Sequence, residues 1–130
     1  MLSVKGLRTQ AAGKGVFFAM PSEYPTETEV ARAALAFAEA LTRSDWSKAH
    51  AILTPRLRNS WQPTELQREY NAMTSYWDNP ATSVELVSEG SEWVYVAIRG
   101  PEALDNEAVY VRVVCADSRW LIDDIVWGRP

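Results

Sequence analysis

The spacing of apolar residues changes once in this chain, near Pro80, and that switch limits the folds open to it. Before Pro80 apolar residues recur at helical spacing; from Ala81 onward they alternate. The first spacing gathers apolar side chains on one face of a helix, the second on one face of a strand. Helices followed by strands make an α+β arrangement, with the helices laid against one face of a sheet. Short turns between consecutive strands make that sheet antiparallel.

Three helices are predicted in the first block. Thr26 followed by Glu29 matches a capping box, in which each side chain satisfies a backbone N–H at a helix start. Val30, Ala34, Phe37 and Leu41 then share one helical face, so the first helix covers about 27–43. Ser44 or Asp45 caps a second helix that runs to about Leu53 and turns Trp46, Ala49, Ile52 and Leu53 inward. Pro55 follows as its stop. Residues 56–61 read as a basic connector, and Arg56, Arg58 and Arg68 as solvated surface or a rim for an acidic partner. Pro63 opens a third helix, with Thr64 and Gln67 as an alternative box and Leu66, Tyr70 and Met73 facing inward. Residues 1–25 stand apart as an N-terminal extension with room for one short strand at 15–20, and 26–130 form the domain.

Four strands are predicted, over 83–88, 92–99, 108–116 and 119–127. Gly90, Gly100-Pro101, Asp105-Asn106 and Asp117-Ser118 supply the turn chemistry between them. In the second strand Val94, Val96 and Ile98 oppose Trp93, Tyr95 and Ala97. In the third, Val109, Val111, Val113 and Cys115 oppose Tyr110, Arg112 and Val114, and Cys115 reads as a small buried hydrophobe. In the last, strict alternation puts Trp120, Ile122, Asp124 and Val126 on one face, against Leu121, Asp123, Ile125 and Trp127. Both faces carry large apolar groups. The helices cover one; a partner copy or the N-terminal extension is expected over the other.

Composition narrows the function. A chain of 130 residues fits one domain with a proper core. Its net charge of −4 has the wrong sign for a nucleic-acid binder, and no basic block marks a membrane anchor. No apolar run approaches the about 20 residues of a spanning helix. One cysteine excludes an intrachain disulfide and fits a reducing, cytoplasmic setting. One histidine and one cysteine give no basis for a metal site, and no cofactor is expected.

The helix bearing Ala34-Phe37-Ala38-Leu41, then S-D-W-S-K-A-H-A-I-L-T-P, a third short helix and a meander ending in Arg119-Trp120-Leu121-Ile122-Asp123-Asp124-Ile125 resemble the nuclear transport factor 2-like superfamily, also called ketosteroid isomerase-like or cystatin-like. The resemblance spans about 26–127. It implies three N-terminal helices packed on a curved four-stranded antiparallel sheet, with a cone-shaped cavity between them. The superfamily includes isomerases, dehydratases, transport adaptors, immunity proteins and domains without known activity, so the fold does not settle the function.

Candidate residues follow from chemistry. His50, the lone histidine, is a candidate general base or a packing residue of the second helix. Enzymes of the ketosteroid isomerase type combine a carboxylate with a tyrosine in an apolar pocket. Here that points to Asp124 with Tyr70 or Tyr95, and Arg112 as a partner for Asp124. Trp61, Trp77, Trp93 and Trp127 are candidates for a partner surface, since aromatics are enriched at binding hot spots. No acid partner or nucleophile singles out His50. The expected function is therefore a non-catalytic binding domain, of which a bacterial immunity-type protein is one form. Its partner would be a protein or a small apolar ligand, with a homodimer through the sheet face. An isomerase or dehydratase using a pocket carboxylate with Tyr or His is the alternative.

Overall fold

The computed structural model describes residues 28–128, so the capping threonine expected at 26 and the short strand expected at 15–20 lie outside the described residues. Within them the order is α1 (Glu29–Thr42), α2 (Trp46–Ala51), α3 (Pro55–Ser60), α4 (Pro63–Met73), then β1 (Ser83–Glu89), β2 (Trp93–Arg99), β3 (Asn106–Ala116) and β4 (Arg119–Trp127). The α+β class and the change of period at Pro80 hold.

Helix α1 is the spine of the helical layer. Thr28 caps it, its hydroxyl accepting from Ala31 N at 3.0 Å and donating to Glu89 at the end of β1. Ala31, Ala34, Phe37, Ala38 and Leu41 are buried at helical spacing. The alanines let the helix approach the sheet closely, while Phe37 and Leu41 fill the space between. The helix stops in a Schellman motif: Ser44 takes a left-handed φ of 59°, its N–H reaches Leu41 O at 3.1 Å, and Asp45 N reaches Ala40 O at 2.9 Å. Asp45 then caps α2 by accepting from Lys48 N.

Residues 56–61 are not the connector expected of them, because Thr54-Pro55 starts a helix as well as stopping one. The Thr54 side chain accepts from Leu57 N at 3.3 Å, and Pro55 takes the first helical position, where a missing N–H costs nothing. The described residues thus hold four helices instead of three. The box at the start of α4 also differs from expectation: Gln62 is the cap, and its N–H donates to Glu65 Oε1 at 2.8 Å.

The sheet is an antiparallel meander in the order β1-β2-β3-β4. Val94, Val96 and Ile98 of β2 and Val109 and Val111 of β3 face the helices and are fully buried. The far edge of β4 is occupied by the segment between α2 and α3: Thr54 N donates to Ile122 O at 2.8 Å and Ile122 N to Ile52 O at 2.9 Å. The edge of β1 carries no such addition among the described residues. Each outer strand has a bulge. In β1 the register passes from Leu86 opposite Val96 to Ser88 opposite Tyr95, leaving Val87 over. In β4 it passes from Ile122 opposite Val113 to Asp124 opposite Arg112, leaving Asp123 over.

The β4 bulge corrects the expected alternation. An extra residue shifts the phase, so Ile122 and Ile125 both face the helices. Asp124 therefore does not share a face with Ile122; it lies on the opposite face with Val126. Cys115 is a second correction. It is exposed, since it sits one residue from the end of β3, where the strand runs out into the hairpin turn.

Candidate functional site

The sheet presents two surfaces on which a site could be built, and the five candidate pocket residues are divided between them. On the helix-facing side, Tyr70 projects from α4 into the core and its ring meets Trp46 at 5.9 Å. Burial pushes the Tyr70 hydroxyl up to about 12, so it stays protonated across the physiological range. Trp127 packs between Phe37, at 6.4 Å, and Trp61, at 5.7 Å. Trp77 lies against the same core, edge-on to Tyr76. The indole N–H groups of Trp77 and Trp127 are buried and meet no acceptor.

His50 sits among the helices with its Nε2 3.2 Å from the carbonyl oxygen of Arg58. A carbonyl only accepts, so Nε2 carries the hydrogen in this contact. The same carbonyl accepts from Gln62 Nε2 at 3.0 Å, and Arg58 Nε donates back to Leu53 O at 3.0 Å. His50 thereby ties α2 to the end of α3. Arg58 is likewise a tie between segments, not a free basic group.

Tyr95, Arg112 and Asp124 lie on the other face, which the helices do not reach. There the register sets Trp93 opposite Arg112 and Tyr95 opposite Tyr110. The rings form a ladder, with Trp93–Tyr110 centroids 5.2 Å apart and Tyr95–Tyr110 centroids 5.9 Å apart. Val87 and Val126 flank it, 52% and 48% exposed. At one end Arg112 Nη2 donates to Asp123 Oδ2 at 2.6 Å, and a longer contact of 3.8 Å reaches Glu92. Asp123 also accepts from Thr54 Oγ1 at 2.8 Å and pairs with Arg56 at 3.2 Å, while Arg56 donates to its backbone carbonyl as well. Asp124, expected to pair with Arg112, is exposed, and its Oδ1 accepts from the following N–H.

The structure brings Tyr95, Arg112 and Asp124 to one surface and keeps Tyr70 and His50 away from it, on the helical side of the sheet. A carboxylate base with a tyrosine beside it requires both within hydrogen-bond reach of one reacting atom. Asp124 and Tyr70 lie on opposite sides of the sheet, and Asp124 on β4 is separated from Tyr95 on β2 by the intervening strand β3. Of the four candidate interface tryptophans, Trp93 lies on the open face, whereas Trp61, Trp77 and Trp127 pack against the core. Sequence reasoning placed Asp123 on a face of the last strand but missed its bond with Thr54, which holds the start of α3 to β4 at the bulge. Tyr110, the middle ring of the ladder, was legible from the alternation of β3. Among the described residues no group of three or more His, Cys, Asp or Glu could hold a metal ion, and no helix is long and apolar enough to cross a membrane. A comparison with protein-family models finds no match, and neither does one with curated proteins.

Proposed function

We propose that this chain is a non-catalytic binding domain of the nuclear transport factor 2-like type, acting in the cytoplasm, that self-associates through the open face of its sheet. An immunity-type protein that engages a protein partner is the concrete form of this reading. The observation that carries it is the open face itself. Three rings in tilted contact on β2 and β3, flanked by half-exposed Val87 and Val126, form an apolar surface that none of the described helices covers. Tyr and Trp suit such a surface because they offer apolar area with a polar tip that tolerates water before the partner arrives. The separation of Asp124 from Tyr70 and His50 by the sheet, and from Tyr95 by β3, supports the non-catalytic side of the reading.

Sedimentation velocity over a concentration series tests it. The native chain is expected to pass from monomer to dimer as concentration rises, and Tyr110→Lys to remain monomeric. A native chain that is monomeric throughout would sink the self-association.

A small apolar ligand is a second reading, favoured by the two buried indole N–H groups that lack acceptors. Its place would be the cone-shaped cavity that the family resemblance implies between helices and sheet, with a ligand oxygen accepting from Trp127. Titration with anilinonaphthalene sulfonate separates the cases: a core site predicts saturable fluorescence that Trp127→Phe weakens and Tyr110→Lys leaves alone.

A further inference from the structure

The remaining large exposed apolar residues, Tyr76 at 53% and Leu104 at 84%, lie together, away from the sheet face, in one groove. This groove, of about 470 Å³, runs between the segment after α4 and the β2–β3 connection, and Asp78, Glu102 and Asp105 complete its lining with Ala103.

The connection is tied down by its own backbone. Gly100 N donates to Asp105 O at 2.9 Å, Asp105 N to Glu102 O at 3.0 Å, and Asn106 N to Leu104 O at 2.9 Å. Asp105 is buried beneath it and accepts from Glu102 N at 3.3 Å. A β-carbon on Gly100 would come within 2.7 Å of the Asp105 side chain, so the turn closes only with glycine there. On the opposite wall, the Tyr76 hydroxyl donates to Glu107 at 2.6 Å, which fixes the ring. Leu104 is therefore held out in water by a well-bonded loop, beside an anchored tyrosine. Leu104 and Tyr76 together give the groove an apolar wall that a bound segment would cover. The charge of the lining selects the occupant: Asp78 and Glu102 are exposed carboxylates, Asp105 is turned into the loop, and no lysine or arginine lines the groove.

We propose that this groove docks an extended protein segment presenting an arginine or lysine beside a bulky apolar side chain. The cation meets Asp78 and Glu102, and the apolar side chain covers Leu104 and the face of Tyr76. The proposal rests on the reading of the chain as a binding domain and names a second surface for it, distinct from the aromatic face.

Fluorescence anisotropy of the full chain with a labelled heptapeptide alternating arginine and leucine tests the proposal, with the glutamate-for-arginine peptide as control. The arginine peptide is expected to bind, more weakly as salt rises. Asp78→Asn with Glu102→Gln, or Leu104→Ser alone, is expected to weaken it by roughly tenfold. All these positions are exposed, so circular dichroism should confirm an unaltered fold. Amide shifts on peptide addition should map to residues 76–78 and 102–105. Equal binding of the two peptides, absence of binding, or shifts on β2 and β3 would each overturn the groove. The last of these leaves the open face standing as a binding surface, whereas a monomeric native chain in sedimentation removes that face and not the groove.

Discussion

The two faces of the sheet are built from different residues, although the same strands supply both. Toward the helices, Val94, Val96, Ile98, Val109 and Val111 are fully buried aliphatic groups. Away from them, Trp93, Tyr95 and Tyr110 are half-buried, with Trp93 and Tyr95 each in tilted contact with Tyr110. Branched aliphatic side chains fit a surface covered permanently by packed helices, because their shape is fixed and they have no polar atom to satisfy. Aromatic rings with a hydroxyl or indole N–H fit a surface that meets water part of the time. The helix-facing side is spent on stability, and the proposed reading assigns binding to the other side, which none of the described helices covers.

The comparison breaks most visibly at Phe37. This ring is fully buried on the helix-facing side and touches Trp127. Phe37→Ala is expected to cost about 3–5 kcal/mol, read as a lower midpoint in urea unfolding. Next in size is the anchor at the rim of the open face. Asp123→Ala removes the partner of Arg112, Thr54 and Arg56 together. The expected loss is about 1–3 kcal/mol, measured the same way, and Asp124→Ala should cost far less because Asp124 is exposed.

A smaller effect sharpens the account of the core. Burial raises Tyr70 from 10.0 to about 12, so the folded state holds its proton more tightly than the unfolded state does. The resulting stability is complete below pH 10 and is lost as pH rises toward about 12. Tyr70→Phe should therefore show a shallower fall in stability across that window, followed by thermal melts at alkaline pH. The smallest expected change in monomer stability is that of Tyr110→Lys, within roughly 1 kcal/mol. Its effect belongs to association instead.

The helix-facing side was legible in the sequence because periodicity reports burial. Ala34, Phe37 and Leu41, and then Leu66 and Tyr70, could be assigned inward positions from spacing alone. The helix at Pro55–Ser60 was not, since Thr54-Pro55 signals a stop and a start equally well. The face of Asp124 was not either. One inserted residue at Asp123 inverts the alternation beyond it, and nothing in the residue types announces the insertion. For the candidate site, the sequence named Tyr95, Arg112 and Trp93 but could not show that they share a surface from which Tyr70 and His50 are excluded. That depends on which face the helices take, and spacing along the chain does not specify it.

Hydroxyl-radical footprinting of the native chain over a concentration series compares the two faces in a single measurement. Phe37 and Tyr70 should stay unmodified at every concentration, while Trp93, Tyr95 and Tyr110 should react in dilute protein and become protected as the protein is concentrated. Rings on the open face that are equally reactive at all concentrations would contradict the account.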